Sequence, residues 1–219
     1  MKRRLLILAC GLVSLASTAW AQGGIQESNR WRHWDFSLQT RYVGTQEFEG
    51  ERSSSLKLSD DLGWGFGFGY HVNERVNLGF LMSWRAVPYD AKAVNENNET
   101  IRYSNWLDTG TIALTGEWNI LPKTLTPYVN GAIGWTMLDT NIYAGYGGSY
   151  CWWDPWYGYI CDDYSYTYGS DEATFAAGAG LRWEVARTMF LRAGYESNWV
   201  TTTNTPRFDV FRFDVGLMY

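Results

Sequence analysis

The chain reads as all-β, an eight-stranded antiparallel transmembrane β-barrel wound as an up-and-down meander, and three observations carry that reading. Apolar and polar residues alternate through segment after segment, Trp and Tyr stand at the ends of the apolar faces, and short and long connections take turns. The last nine residues show the pattern most plainly. Phe211, Phe213, Val215, Leu217 and Tyr219 fall on one face, and Arg212, Asp214, Gly216 and Met218 on the other. Successive side chains of a strand point to opposite sides, so this strand has one apolar face and one bearing two opposite charges. A soluble sheet can do this once; aromatics capping the apolar faces along the whole chain point to lipid.

Eight such segments follow in order, listed here by the residues on the outward face. The first runs from Trp34 to Tyr42 through Phe36 and Leu38, and the second carries Leu62, Trp64, Phe66, Phe68 and Tyr70 opposite Gly63, Gly65, Gly67 and Gly69. The third presents Val76, Leu78, Phe80, Met82 and Trp84, the fourth Ile112, Leu114 and Trp118, and the fifth Val129, Ile133 and Trp135. Phe175, Ala177, Ala179, Leu181 and Trp183 make the sixth, Met189, Leu191, Ala193 and Tyr195 the seventh, and the C-terminal strand the eighth. A tilted strand crosses a bilayer in about 9 to 11 residues, which several of these segments match.

Short connections (Asn73 to Arg75, Asn119 to Thr126, Ala186 to Thr188) alternate with long ones (Gly44 to Asp61, Ala86 to Asn105, Asp139 to Glu172, Ser197 to Arg207). In bacterial outer-membrane barrels the short turns are periplasmic and the long loops extracellular. An even strand count then places both termini in the periplasm. With that orientation Trp34, Tyr70, Trp118, Trp183 and Tyr219 gather at the periplasmic rim, and Tyr42, Trp64, Trp84, Trp135 and Tyr195 at the outer one. Asp108 shares the outward parity of the fourth segment, so it is expected above the hydrocarbon, where a charge costs little.

The N-terminus supplies the export signal such a protein needs. Met1-Lys2-Arg3-Arg4 precedes an apolar run from Leu5 to about Ala16 and an Ala19-Trp20-Ala21 cleavage site, the layout of a secretory signal peptide over residues 1–21. Leu8-Ala9-Cys10 suggests a lipoprotein box, but it would leave almost no apolar region ahead of the cysteine. The barrel domain is expected over residues 22–219. Of the 18 Lys and Arg, three lie in the leader, so the mature chain sets 15 against 23 Asp and Glu, a net charge of −8 that offers no footprint for nucleic acid. The 13 Trp, 15 Tyr and 23 Gly fit a chain in which every second strand residue meets lipid.

The inward faces carry Arg41, Arg85, Arg182, Arg192 and Arg212 with Asp35, Glu117, Glu184, Glu196 and Asp214. Eight strands enclose a lumen that side chains can fill, and isolated charges there would be costly, so the two signs are expected to pair. Counting back from the turn at Ala186 sets Arg182 across from Arg192 with Glu184 one diagonal away, and Asp214 lies on the next strand. A cluster of Arg182, Glu184, Arg192 and Asp214 is the expected plug. Gly63-x-Gly65 is not a dinucleotide loop, because no helix follows it.

The third long loop holds CWWDPWYGYIC, and Cys151 and Cys161 are the two cysteines left after the leader is removed. In an oxidising envelope a disulfide is the default, closing an 11-residue ring worth at most about 2.8 kcal/mol by chain entropy. Trp152, Trp153, Trp156 and Tyr157 on this loop either pack on one another as a rigid cap or present a contact surface. Flat rings of this kind suit the sugars of lipopolysaccharide or of a host glycan. No metal or other cofactor is expected, since His33 and His71 both fall at the periplasmic end.

The stretches TPYVNGAIGW (Thr126 to Trp135) and GWGFGFGY (Gly63 to Tyr70), taken with the aromatic C-terminus, resemble the small outer-membrane β-barrel family that includes the OmpA-type transmembrane domain and the opacity-type surface antigens. The resemblance covers essentially the whole mature chain. It implies that the terminal strand (Phe211, Phe213, Val215, Leu217, Tyr219) is read by the barrel-assembly machinery, although Tyr219 suits a purely interfacial place as well. The function expected is non-enzymatic, a structural or surface-interaction barrel in a Gram-negative-type outer membrane. The alternatives are a narrow channel for small or hydrophobic solutes, which requires the interior charges to part or the wall to open, and a lipid-modifying enzyme, which requires a nucleophile and base that no constellation here supplies.

Overall fold

In β1 (Trp34–Val43) burial alternates at every residue, with Asp35, Ser37, Gln39 and Arg41 inside and Trp34, Phe36, Leu38 and Tyr42 outside. This inverts a soluble sheet, whose buried face is the apolar one. The inversion runs round the molecule: Leu114 and Ile133 are 65% and 68% exposed, while Arg182 and Asp214 are completely buried. The computed structural model describes residues 25–49, 54–94, 100–154, 158–202 and 205–219. The leader expected over residues 1–21 and the loop residues Trp156 and Tyr157 lie outside them, and Trp152 and Trp153 are described by their backbone alone.

After β1 come a small hairpin, β2 (Gln46–Glu49) and β3 (Ser55–Leu58), then β4 (Asp61–His71), β5 (Val76–Val94), β6 (Thr100–Asn119), β7 (Leu125–Asp154), β8 (Gly158–Ala186), β9 (Met189–Val200) and β10 (Arg207–Met218). Apart from the inserted hairpin, each strand pairs antiparallel with its neighbour in sequence, and β1 pairs with β10. The closed ring therefore has eight strands, β1 and β4 to β10, in an up-and-down meander. Closure is completed by two backbone bonds exchanged between Trp34 and Tyr219, 2.7 and 2.9 Å. Closing the ring leaves no strand edge in the barrel wall, as lipid requires of a sheet.

Glycine makes the wall possible beneath Trp64 and Phe66. A Cβ on Gly65 would fall 2.8 Å from that of Ser83, and one on Gly63 2.8 Å from the Trp84 carbonyl oxygen. On β10, a Cβ on Gly216 would fall on the ring of Phe190, its register partner on β9, so this glycine admits the aromatic into the lumen.

One expectation is corrected. The spans 44–61, 86–105 and 139–172 are not plain loops but carry strands beyond the barrel. β5 and β6 stay in register from Val76↔Trp118 to Val94↔Thr100, and β3 adds to the extended part of β5 through Leu58↔Tyr89. β7 and β8 continue as a ladder to Asp154↔Gly158, interrupted by register shifts between Asp139 and Gly148. Tyr, Thr, Val and Ile populate these spans, and residues of that kind extend a ladder already in register at little cost. Asn141, with φ of 54°, sits in the first irregularity and bonds Asp108 Oδ2 through its Nδ2 at 2.7 Å. Asp108 is thus exposed at the rim, where a charge can remain hydrated.

Candidate functional site

A chain of side chains of alternating charge runs through the lumen. Near the short-turn end Arg182 reaches Asp35 on β1 through both terminal nitrogens, at 2.6 and 3.2 Å. Asp35 also meets His71 Nε2 at 2.9 Å and accepts from Asn77 Nδ2 at 3.1 Å. Arg182 lies 3.6 Å from Glu184 and 3.9 Å from Glu117. Glu117 is held by Arg192 at 2.6 Å, and Arg192 by Asp214 at 2.9 Å. Arg212 then links Asp214 at 3.3 Å to Glu196 at 2.6 Å, and Glu196 meets Arg41 at 3.0 Å. Every member is at least nine-tenths buried.

The expected cluster of Arg182, Glu184, Arg192 and Asp214 is brought together, but its internal pairing is less direct than register suggests. Arg182 does face Arg192 across β8 and β9. Both of these like charges are engaged by Phe190, whose ring centre is 3.9 Å from the Arg182 guanidinium carbon and 5.0 Å from that of Arg192. A cation over an aromatic face in a desolvated place gains about 2 kcal/mol. Tyr128 plays a similar part above, its hydroxyl accepting from Arg212 Nη2 at 3.1 Å. Phe190 and Tyr128 both have inward parity, so the signal was an aromatic on the charged face of a strand.

The residue that strand parity could not reveal is Arg30, which precedes β1. It is completely buried, pairs with Glu184 at 3.1 Å and donates to the carbonyl oxygens of Glu74, Leu121 and Lys123 at 2.7 to 3.0 Å. Those carbonyls belong to two of the short turns, so one guanidinium ties the N-terminal segment across that end of the barrel. Burial pushes the Arg30 guanidinium below its ordinary value, and Glu184 opposes the shift.

At the long-loop end the character reverses. Leu58, Val87 and Tyr89 form a buried apolar cluster with Phe48, Leu56, Ala91, Leu107, Ile142 and Phe208 packed against it. Val87 and Tyr89 continue the inward parity of β5 past the rim, so this cluster sits on the extended strands above it. The Tyr89 hydroxyl donates to the Thr140 carbonyl oxygen at 3.0 Å. Farther out, Cys151 and Cys161 are direct register partners on the β7–β8 hairpin. In the terminal strand Phe211, Val215, Leu217 and Tyr219 are exposed, Phe213 is partly so, and Arg212 and Asp214 are buried.

Residues 5–219 match the model of the outer membrane protein β-barrel domain. The chain belongs to that family. Membership places this barrel in a bacterial outer membrane, where the apolar outer wall faces lipid. The crystal structure of Neisserial surface protein A is similar at 13% identity and a TM-score of 0.52, covering 85% of this chain and 97% of that one. OprG from Pseudomonas aeruginosa is similar at 8% identity and a TM-score of 0.57, covering 89% and 99%. Likeness at such identities speaks to the fold. No curated protein matches the chain in sequence.

Proposed function

We propose that this is a non-enzymatic outer-membrane barrel whose lumen is plugged by paired side chains and whose interactions with other molecules take place at the strand-built crown above the long-loop rim. The observation that carries the proposal is the unbroken sequence of alternating charges from Arg30 to Arg41, with Phe190 packed against both facing arginines. An ion crossing such a lumen would have to separate buried pairs, each costly to break. The non-enzymatic part is supported by the partners of the two histidine rings, Asp35 and Asn77 for His71 and the Trp31 carbonyl oxygen for His33, none of which is a hydroxyl or thiol that a histidine could activate.

The orientation proposed has both termini and the Arg30 seal in the periplasm and the crown outside the cell, following residues 1–21 acting as a signal peptide. Cys151 and Cys161 are proposed to form a disulfide, because directly opposed antiparallel residues have Cα atoms about 4.5 or 5.5 Å apart, within the range that disulfides span. Trp152, Trp153, Trp156 and Tyr157 around it are proposed as the surface for lipopolysaccharide or a glycan, and the strand ending at Tyr219 as the segment engaged by the barrel-assembly machinery.

Planar-bilayer recording tests the plug. Purified protein is expected to give no stable conductance steps, and Arg30→Ala, which unties two turns, short-lived ones. Stable, ion-selective steps from the unmodified protein would overturn the plug in favour of a narrow channel.

A further inference from the structure

Between the charge chain and the apolar cluster the lumen retains a cavity of about 90 Å³, room for several waters or a molecule of a few heavy atoms. Leu81, Ala113, Ala132 and Val210 give it apolar walls, with hydroxyls from Thr111 and Thr136. Two guanidinium groups, of Arg41 and Arg85, also line it. Glu196, the one carboxylate in the lining, is already engaged by Arg41 Nη2 at 3.0 Å and Arg212 Nη1 at 2.6 Å. Arg41 Nη1 is buried without an acceptor. Arg85 lies over the Phe208 ring, 5.4 Å from its centre, and among the described residues it belongs to no ion pair. Asp61 has the same inward parity near the rim; it forms no ion pair with Arg85, although its charge is the main opposing one acting on that guanidinium, and its Oδ2 is itself unpartnered.

The five buried arginines, Arg30, Arg41, Arg182, Arg192 and Arg212, are matched by Asp35, Glu117, Glu184, Glu196 and Asp214, whereas Arg85 is half-buried. The cavity lining therefore holds one guanidinium more than carboxylates and one spare donor beside small apolar walls, with Asp61 outside it at the rim. We propose that it binds a small carboxylate-bearing molecule, its anionic head on Arg85 and Arg41 Nη1 and its short apolar part against Leu81, Ala113 and Ala132. One guanidinium in excess suits a monoanion, and a planar carboxylate matches the guanidinium fork. Entry is from the rim, because Trp84, Arg85, Thr109 and Leu138 line both this cavity and a wider pocket there.

The test is nuclear magnetic resonance of the arginine Nε–H groups in the full mature barrel folded in detergent micelles, titrated with sodium butyrate. Sodium chloride at equal ionic strength and n-butanol are the comparison titrants. Butyrate is expected to shift the Arg85 and Arg41 signals saturably while butanol and chloride do not. Arg85→Met is expected to weaken butyrate about tenfold or more, the loss of one charge-assisted hydrogen bond. Arg207→Met, on an exposed side chain, is expected to leave binding unchanged. Should Arg85→Met fail to fold, Arg85→Lys preserves the charge without the fork and is expected to weaken binding less than the methionine variant's expected loss. No saturable shift, an equal response to chloride, or undiminished affinity in the folded Arg85 variants would overturn the proposal. Conductance is not measured, so the outcome is independent of the plug.

Discussion

Replacing Arg182 with methionine is expected to destabilise the barrel by about 3–5 kcal/mol, the cost of removing one partner from a buried ion pair. The structure explains why the figure belongs at that level. Arg182 is completely buried, it grips Asp35 with two nitrogens, and it stacks on Phe190. Methionine keeps apolar contact with Phe190 and Met218 but leaves Asp35 with only His71 and Asn77 as partners. Most of the loss is then the stranded carboxylate rather than lost packing. It follows that Arg182→Met combined with Asp35→Asn should cost less than the two single changes summed, by about 2–3 kcal/mol. Urea unfolding of the micelle-folded protein, followed by tryptophan fluorescence and by the gel shift between folded and heated forms, measures all four corners of the cycle. A single-variant loss below about 1 kcal/mol would mean a wet lumen with screened charges. Strict additivity would mean that Asp35 and Arg182 are not a unit. Either result would refute the reasoning.

Leu114→Arg, placed on the outer wall, is expected to cost about 2–4 kcal/mol in vesicles if residue 114 lies near the midplane, measured by urea unfolding. Gly216→Ala is expected to lose about 1–3 kcal/mol, because its methyl group would land on Phe190, whereas Gly44→Ala, with open space about it, should fall within about 0.5 kcal/mol of the unmodified protein on the same assay. Cys151→Ser is expected to leave barrel unfolding unchanged and to accelerate protease cleavage of the β7–β8 hairpin; unchanged cleavage would argue against the proposed disulfide. Arg30→Ala is expected to lose about 3 kcal/mol or more on urea unfolding, since Glu184 would keep only Ser28 and the more distant Arg182.

How much of this could be read from the sequence depends on how local each feature is. The period of two is a property of adjacent residues, so the faces of all eight barrel strands were legible, down to Asp35, Glu117, Glu184, Glu196 and Asp214 pointing inward. Pairing of strands joined by a tight turn was legible too, because a turn sets register, and Arg182 does face Arg192. The extended crown was less so. Whether a Tyr- and Thr-rich span keeps pairing past the rim depends on whether its partner does, as β3 on β5 shows. Arg30 was out of reach altogether, since a residue ahead of the first strand has no parity.

The same distinction explains why the inward side chains were legible while the pairs they make were not: Arg85, expected to pair, stands in no ion pair among the described residues, and Arg30 takes part in one. In a helix or a flat sheet the nearest partner of a charge is a few residues away or on the adjoining strand. Inside a closed eight-stranded ring, a long side chain reaches across the axis more easily than along the wall, because the lumen is only about two side chains wide. Arg182 and Asp35 lie on β8 and β1, strands that are not neighbours, 147 residues apart in sequence. Arg192 meets Glu117 across the lumen in the same way, from β9 to β6. Such pairs appear only once the ring is closed, and they then tie together strands that share no ladder hydrogen bonds. The charge chain is therefore expected to form after the β1–β10 seam closes: Arg182→Met should accelerate unfolding while leaving the rate of folding into micelles nearly unchanged. Slowed folding in that variant would place the chain before closure.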